Sequence, residues 1–241
     1  NIRSGTVVVS NCDYVTDLDG NVEGCGSFSS GEWLIYGPDA RFEASTANWD
    51  FGELTYTDER DNFSNFLKGC SNFNGDISYL KVDGAEDLSY MFSNCTIFNQ
   101  RVDHFNTSSA RTMRAMFQKA AEFNQPVDHF DVSRCDNLML LFQLTKKFNQ
   151  PLTSWKTGKN KTFNSMFFDA VFNQPIDHFD TSSSESFKRM FKLNKSFNQP
   201  IGSWDTSKVT DMYEMFNNSV FNQPIGNWNT RNVTDMYGMF Q

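Results

Sequence analysis

No stretch of this 241-residue sequence approaches the roughly 18 consecutive apolar residues that a membrane-spanning helix needs. The apolar run near the start, "TVVVS" at 6–10, is far too short, and it lacks the charged lead and cleavage pattern of a signal peptide. Basic charge is also scarce. The 21 Lys and Arg stand against 29 Asp and Glu, giving a formal net charge of −8 and a pI near 4.9. Nucleic acids and anionic membranes attract proteins through a basic footprint, so neither is expected as a partner, and the lack of a long apolar run argues against membrane insertion. Recognisable chemistry is missing too. There is no nucleophile elbow, Walker loop, zinc-spaced Cys/His set or dinucleotide fingerprint, so no catalytic residue, metal or cofactor is expected. A calcium loop begins at Asp17, Asp19 and Asn21 but fails at Val22, where Gly is needed, and at Phe28, where the closing Glu should stand. The chain opens at Asn1 without Met and stops inside a repeat at Gln241, so both ends read as edges of a processed or longer protein.

What is present is aromatic and repetitive. The apolar content leans on 25 Phe, 10 Met and 5 Trp, which predicts a core of large rings. "FN" recurs at Phe73, Phe98, Phe123, Phe148, Phe172, Phe197 and Phe221, at spacings of 25, 25, 25, 24, 25 and 24 residues. A period this short and steady marks a solenoid. With that Phe as position one, position five is apolar in every unit, from Ile77 and Val102 through to Ile225. Position eight is Leu80, Phe105, Phe130, Trp155, Phe179, Trp204 and Trp228. Val209, Met212, Met215 and Phe216 are then spaced as one face of a short helix or 3₁₀ turn. Each unit is expected to be a short parallel strand followed by that helical turn. It cannot close a core alone, so stacking must bury its Phe, Ile, Trp and Met. The Asn at position two (Asn74, Asn99, Asn124, Asn149, Asn173, Asn198, Asn222) is expected to form an asparagine ladder, its inward amide satisfying backbone groups at a sharp turn.

The units "FNQPIGSWDTSKVTDMYEMF" and "FNQPIGNWNTRNVTDMYGMF" resemble the repeat of the BspA-like leucine-rich-repeat surface proteins, over residues 73–241. The resemblance implies a leucine-rich-repeat-like solenoid on a secreted or cell-surface protein. The middle units depart from it, with "DHF" in place of "GSW" and "SRCDNLMLLF" without the V-T-D-M core. Residues 1–72 do not hold the period and are expected to cap the stack, with strands at Val7–Val9 and Trp33–Tyr36. The first ten or so residues could also act as an arm that pairs with a neighbouring subunit's sheet edge.

Cys70 and Cys95 are one period apart, each three residues before the next Phe, so stacking would set them about 4.8 Å apart, within disulfide reach. Cys12 and Cys25 would close a small loop in the cap, leaving Cys135 unpaired; the alternative is a set of buried free thiols. Glycosylation candidates stand at Asn62, Asn94, Asn106, Asn160, Asn194, Asn217 and Asn232. Cysteines and sequons together point to an extracellular setting. His104, His129 and His178 share position seven, behind Asp103, Asp128 and Asp177, a column read as a solvated face rather than a metal strip. Asp131, Asp180 and Asp205 share position nine, and a flat column of carboxylates is not a glycosidase pair, which faces itself across a cleft. The sequence therefore points to a non-enzymatic extracellular solenoid whose partners are further protein subunits, by self-assembly into a filament or appendage. A monomeric adhesin that binds a host protein or a glycan is the alternative.

Overall fold

The computed structural model describes residues 63–241 apart from Tyr79, together with the backbone of three short strands that precede them. Those strands are β1 (Thr6–Ser10), β2 (Leu34–Tyr36) and β3 (Glu53–Tyr56). They form a parallel sheet in the order β2-β1-β3. β1 spans the Val7–Val9 run and is paired on both sides, Val8 opposite Leu34 and Val7 opposite Leu54. Within Thr6–Ser10, then, both edges of the strand are filled by its own chain. Cys12, Cys25, Asp17, Asp19, Asn21 and the sequon at Asn62 lie outside the described residues.

From Phe63 onward the units lie one on the next in register. Single parallel bridges link Asp87, Thr112, Asn137, Thr162, Ser186, Asp211 and Asp235 in sequence. Beside each bridge the later unit donates back to the earlier one, as from Asp136 N–H to the Arg111 carbonyl and from Lys161 N–H to the Asp136 carbonyl. Bonding in the opposite sense is more extensive. The amides of Met113, Ala115, Phe117 and Lys119 donate to the carbonyls of Asn137, Met139, Leu141 and Gln143, and the same alternate residues repeat this across each following junction. At one rung a side chain substitutes for backbone, and Leu138 N–H donates to Asn160 Oδ1 at 3.1 Å.

The residues between these rungs explain why the expected helical turn is absent. Met116, Gln118 and Ala120 donate to the carbonyls three residues back, at Met113, Ala115 and Phe117, so the strip is a run of overlapping β-turns. Ala115 (φ 55°) and Lys119 (φ 59°) occupy the third position of two such turns, where a type II turn needs positive φ. The same two places are left-handed in every unit, from Tyr90 and Asn94 to Glu214 and Asn218. No helix survives a left-handed residue every fourth position. Among the described residues the expected short strand is likewise reduced to a single bridge per unit.

The core is two interleaved columns of phenylalanine. Phe98, Phe123, Phe148, Phe172 and Phe197 follow one another with ring centroids 5.8–6.3 Å apart. Phe92, Phe117, Phe142, Phe167, Phe191 and Phe216 do the same at 5.6–5.9 Å. The two columns touch where one unit passes into the next, Phe117 to Phe123 at 4.0 Å and Phe142 to Phe148 at 3.9 Å, with planes nearly parallel. Offset stacking adds to area burial, and each fully buried ring contributes roughly 1.5–3 kcal/mol. Ile77, Val102, Val127, Leu152, Ile176 and Ile201 close the column at position five.

Candidate functional site

The lateral surface is built from columns of polar side chains, each answering the unit beside it. At position two, Asn99 N–H donates to Asn74 Oδ1 at 2.8 Å, and the pattern continues through Asn124, Asn149, Asn173, Asn198 and Asn222. The following Gln strengthens it: Gln100, Gln125 and Gln150 Nε2 each donate to the carbonyl of the Asn one unit earlier. These amides line the outer edge, partly or fully exposed, instead of pointing inward as the sequence reading had them. The reason is that position one already fills the interior with Phe.

Position seven and position eight share one task. Trp155, Trp204 and Trp228 donate through Nε1 to the position-five carbonyls of the preceding unit, at Val127, Ile176 and Ile201. In two of the three units with Phe at position eight, the histidine before it takes over: His129 Nε2 meets the Val102 carbonyl at 3.1 Å and His178 Nε2 the Leu152 carbonyl at 3.0 Å. These two histidines are therefore structural, and all three rings, His104 included, stand edge-on to the neighbouring Phe. Among the described residues no group of three His, Cys, Asp or Glu could hold a metal. Two of the three aspartates of the "DHF" units serve the next unit too, while Asp103 pairs with Arg101 of its own unit. Asp128 accepts from Thr153 Oγ1, Ser154 N–H and Ser154 Oγ, and Asp177 accepts from Ser203. Burial raises the Asp128 carboxyl's affinity for a proton, but the Ser154 and Thr153 bonds outweigh it and hold the group below the usual carboxylate range.

At position nine Asp131, Asp180 and Asp205 each accept the amide two residues on, from Ser133, Ser182 and Ser207. Hydrogen bonds from those serine hydroxyls, followed by the amides, hold all three carboxyls below their ordinary value. Asn106 and Asn229 make the same turn with a neutral side chain. The buried Thr157, Thr181 and Thr206 at position ten each donate to the position-nine carbonyl of the next unit.

The unit that begins at Phe148 breaks this column. It places Lys156 at position nine and Gly158 at position eleven, where its neighbours have Asp and Ser. A Cβ on Gly158 would stand 2.5 Å from Asp180 Oδ2, so the carboxylate of the next unit occupies the space a serine would take. Around this break the surface sinks into an open depression of about 870 Å³, lined by residues that include Ser133, Lys156, Gly158, Lys159, His178 and Asp180.

Cys70, Cys95 and Cys135 are buried, and Cys95 and Cys135 are thiols, so the expected Cys70–Cys95 disulfide is not formed. The Cys95 thiol bonds to the Leu67 carbonyl at 2.9 Å, and Cys135 bonds to the Ala110 carbonyl at 3.2 Å. Burial pushes both thiols up, Cys135 to about 12, so neither is a nucleophile near neutral pH. The glycosylation candidates divide. Asn160, Asn194 and Asn217 are buried and hold neighbouring backbone, which excludes a glycan on the folded chain. Asn94 is partly buried, and Asn106 and Asn232 are exposed. No helix among the described residues is long and apolar enough to cross a membrane.

These observations define a repeat protein whose conserved-looking columns are occupied mainly in joining one unit to the next. The chain belongs to the family described as "Mycoplasma protein of unknown function, DUF285", which matches residues 61–171 and 161–241. This is a BspA-like repeat family of unknown function. No curated protein and no solved structure gives a significant match.

Proposed function

We propose that the chain is a leucine-rich-repeat-like solenoid with a structural role, a non-enzymatic subunit that joins end to end into an extracellular filament or appendage. The observation that carries this reading is that every described junction is made alike: alternate amides of one unit donate to the next, so the contact has no built-in limit to its repetition. Among the described residues, the unit at 221–241 leaves the amides of Met236, Gly238 and Phe240 without a partner, with Met236, Tyr237 and Phe240 exposed beside them, and this face takes a further unit of the same design. A heterologous contact of this kind, repeated without closing, gives a fibre.

The extracellular assignment rests on the family resemblance and on the exposed sequons at Asn106 and Asn232, since the buried thiols lend it no support. Negative-stain electron microscopy of the purified protein over a concentration series tests assembly directly. Filaments with a regular subunit repeat are expected, and their loss in a Tyr237→Lys, Phe240→Lys variant. Dispersed particles at every concentration would sink the reading. The second reading, a monomeric adhesin, is favoured by one feature, the depression at the unit that breaks the column.

A further inference from the structure

In a repeat protein each unit is an internal control for its neighbours, so a departure from a column is informative where it coincides with a change in surface shape. Position nine is Asn106, Asp131, Asp180, Asp205 and Asn229 in five units, all of which accept a backbone amide two residues on, and Lys in the other two, Lys81 in the first unit and Lys156 in the middle of the stack, where Gly158 accompanies it. Lys156 cannot accept, because an ammonium has donors only. The unit therefore forgoes its turn bond and places a cation between the carboxylates of Asp131 and Asp180, close enough to Asp131 to favour its charged form. The accompanying loss of a side chain at Gly158 makes room for Asp180 Oδ2. Both changes fall in the wall of the same depression.

The groups in that wall are not all consumed by folding. Thr153 and Ser154 are spent on Asp128, Thr157 on the Asp180 carbonyl, and His178 Nε2 on the Leu152 carbonyl. Asp180 uses Oδ1 for Ser182, by both amide and hydroxyl, while Oδ2 faces Gly158 with no bonded donor. Neither Lys156 nor Lys159 takes part in an ion pair among the described residues. Two cations and one carboxylate oxygen thus face a shallow open hollow on a chain whose net charge is −8.

We propose that this hollow binds a saccharide unit carrying a carboxylate or sulfate, with Lys156 and Lys159 on the anionic group and Asp180 Oδ2 accepting from a ring hydroxyl. The ligand must supply an anion and a hydroxyl donor a few ångströms apart, which acidic sugars do in every residue. Its open shape suits a polymer passing across the surface better than a small molecule enclosed on all sides. The site lies in the middle of the stack, away from Met236, Tyr237 and Phe240, so it stands or falls separately from end-to-end assembly.

The test is binding of fluorescent oligosaccharides to the whole chain by anisotropy at low and physiological salt. The probes are an oligogalacturonate, a sulfated glycosaminoglycan fragment, a neutral cello-oligosaccharide and an oligoglutamate. One or both acidic sugars should bind, the neutral sugar should not, and the stronger acidic probe identifies whether carboxylate or sulfate is preferred. The decisive variant is Lys156→Asp with Gly158→Ser, which restores the residues its neighbours use and so keeps the fold, as a thermal melt would verify. It should weaken binding by about tenfold or more, since it removes a charge-assisted bond and displaces Asp180. Lys159→Ala should weaken it by a smaller factor with the same sugar preference. Equal binding by the column-restoring variant, binding of oligoglutamate as tight as that of the acidic sugars, or no binding of either acidic sugar would each overturn the proposal.

Discussion

His129 and Trp155 show how one backbone need is met by two side chains. Both reach a position-five carbonyl of the unit before, one through imidazole Nε2 and the other through indole Nε1. The pairing was open to view in the sequence, where His at seven always precedes Phe and never Trp, yet its meaning depends on knowing which carbonyl lies one unit away. A buried acceptor left without a donor costs about 1–3 kcal/mol. His129→Ser should therefore lower unfolding free energy by about 1 kcal/mol or more, and adding Phe130→Trp, which recreates the Ser154–Trp155 arrangement, should recover most of it. Urea denaturation of the single and double variants checks this, and a double variant no better than the single would refute the shared role. The position-nine carboxylates carry a second prediction. Because hydrogen bonds from Ser133, Ser182 and Ser207 depress the folded-state values of Asp131, Asp180 and Asp205, the unfolded chain takes up protons first as pH falls. Their contribution is complete above about pH 5 and declines below about pH 4, where the unfolded carboxyls protonate. The triple Asp131→Asn, Asp180→Asn, Asp205→Asn variant, using the residue already found at Asn106 and Asn229, should show a flatter loss of stability as pH falls below about 4 when urea midpoints are measured across pH.

At the scale of the element, the second half of each unit is where sequence and structure part. The spacing of Val209, Met212, Met215 and Phe216 fits a helical face, and all four are indeed buried. The same spacing also fits a run of overlapping turns, and what decides between them is bonding to a neighbour 22–25 residues away, which local periodicity does not encode. The left-handed places gave no warning, because residues such as Tyr90, Leu140 and Arg189 occupy them as well as Gly69 and Gly238. The phenylalanine columns, by contrast, were readable from period alone, since stacking is the sole way a 25-residue unit buries a ring. Lys119 offers a clean measure of the turn geometry: it is exposed, at φ 59°, in the place Gly69 holds at φ 86°. Lys119→Gly should raise stability by up to about 1 kcal/mol by relieving the left-handed conformation. Lys119→Val should lower it by about 1–3 kcal/mol, because a β-branched side chain resists positive φ. Thermal or urea unfolding that ranks Val above Gly would show that these are not left-handed turns.

Among the described units, each is held by what it gives to one neighbour and receives from the other, and the unit at 221–241 has a described neighbour on one side only. Asp235, Tyr237 and Met239 accept from Met212, Glu214 and Phe216, while Met236, Gly238 and Phe240 donate to nothing among the described residues. Amide hydrogen exchange separates these two sets residue by residue. In dispersed protein the amides of Met113, Ala115, Phe117 and Lys119 should exchange slowly, and those of Met236, Gly238 and Phe240 at rates close to an unstructured chain. If subunits join through this end, the same three amides should become protected as assembly proceeds, in step with the loss of free particles, while the Tyr237→Lys, Phe240→Lys variant keeps them fast. Protection in the dispersed state would mean that the last unit's donor row is already satisfied within the chain. Fast exchange inside filaments would mean that subunits meet through another surface, and the lateral columns of Asn, His and Asp would then be the place to look.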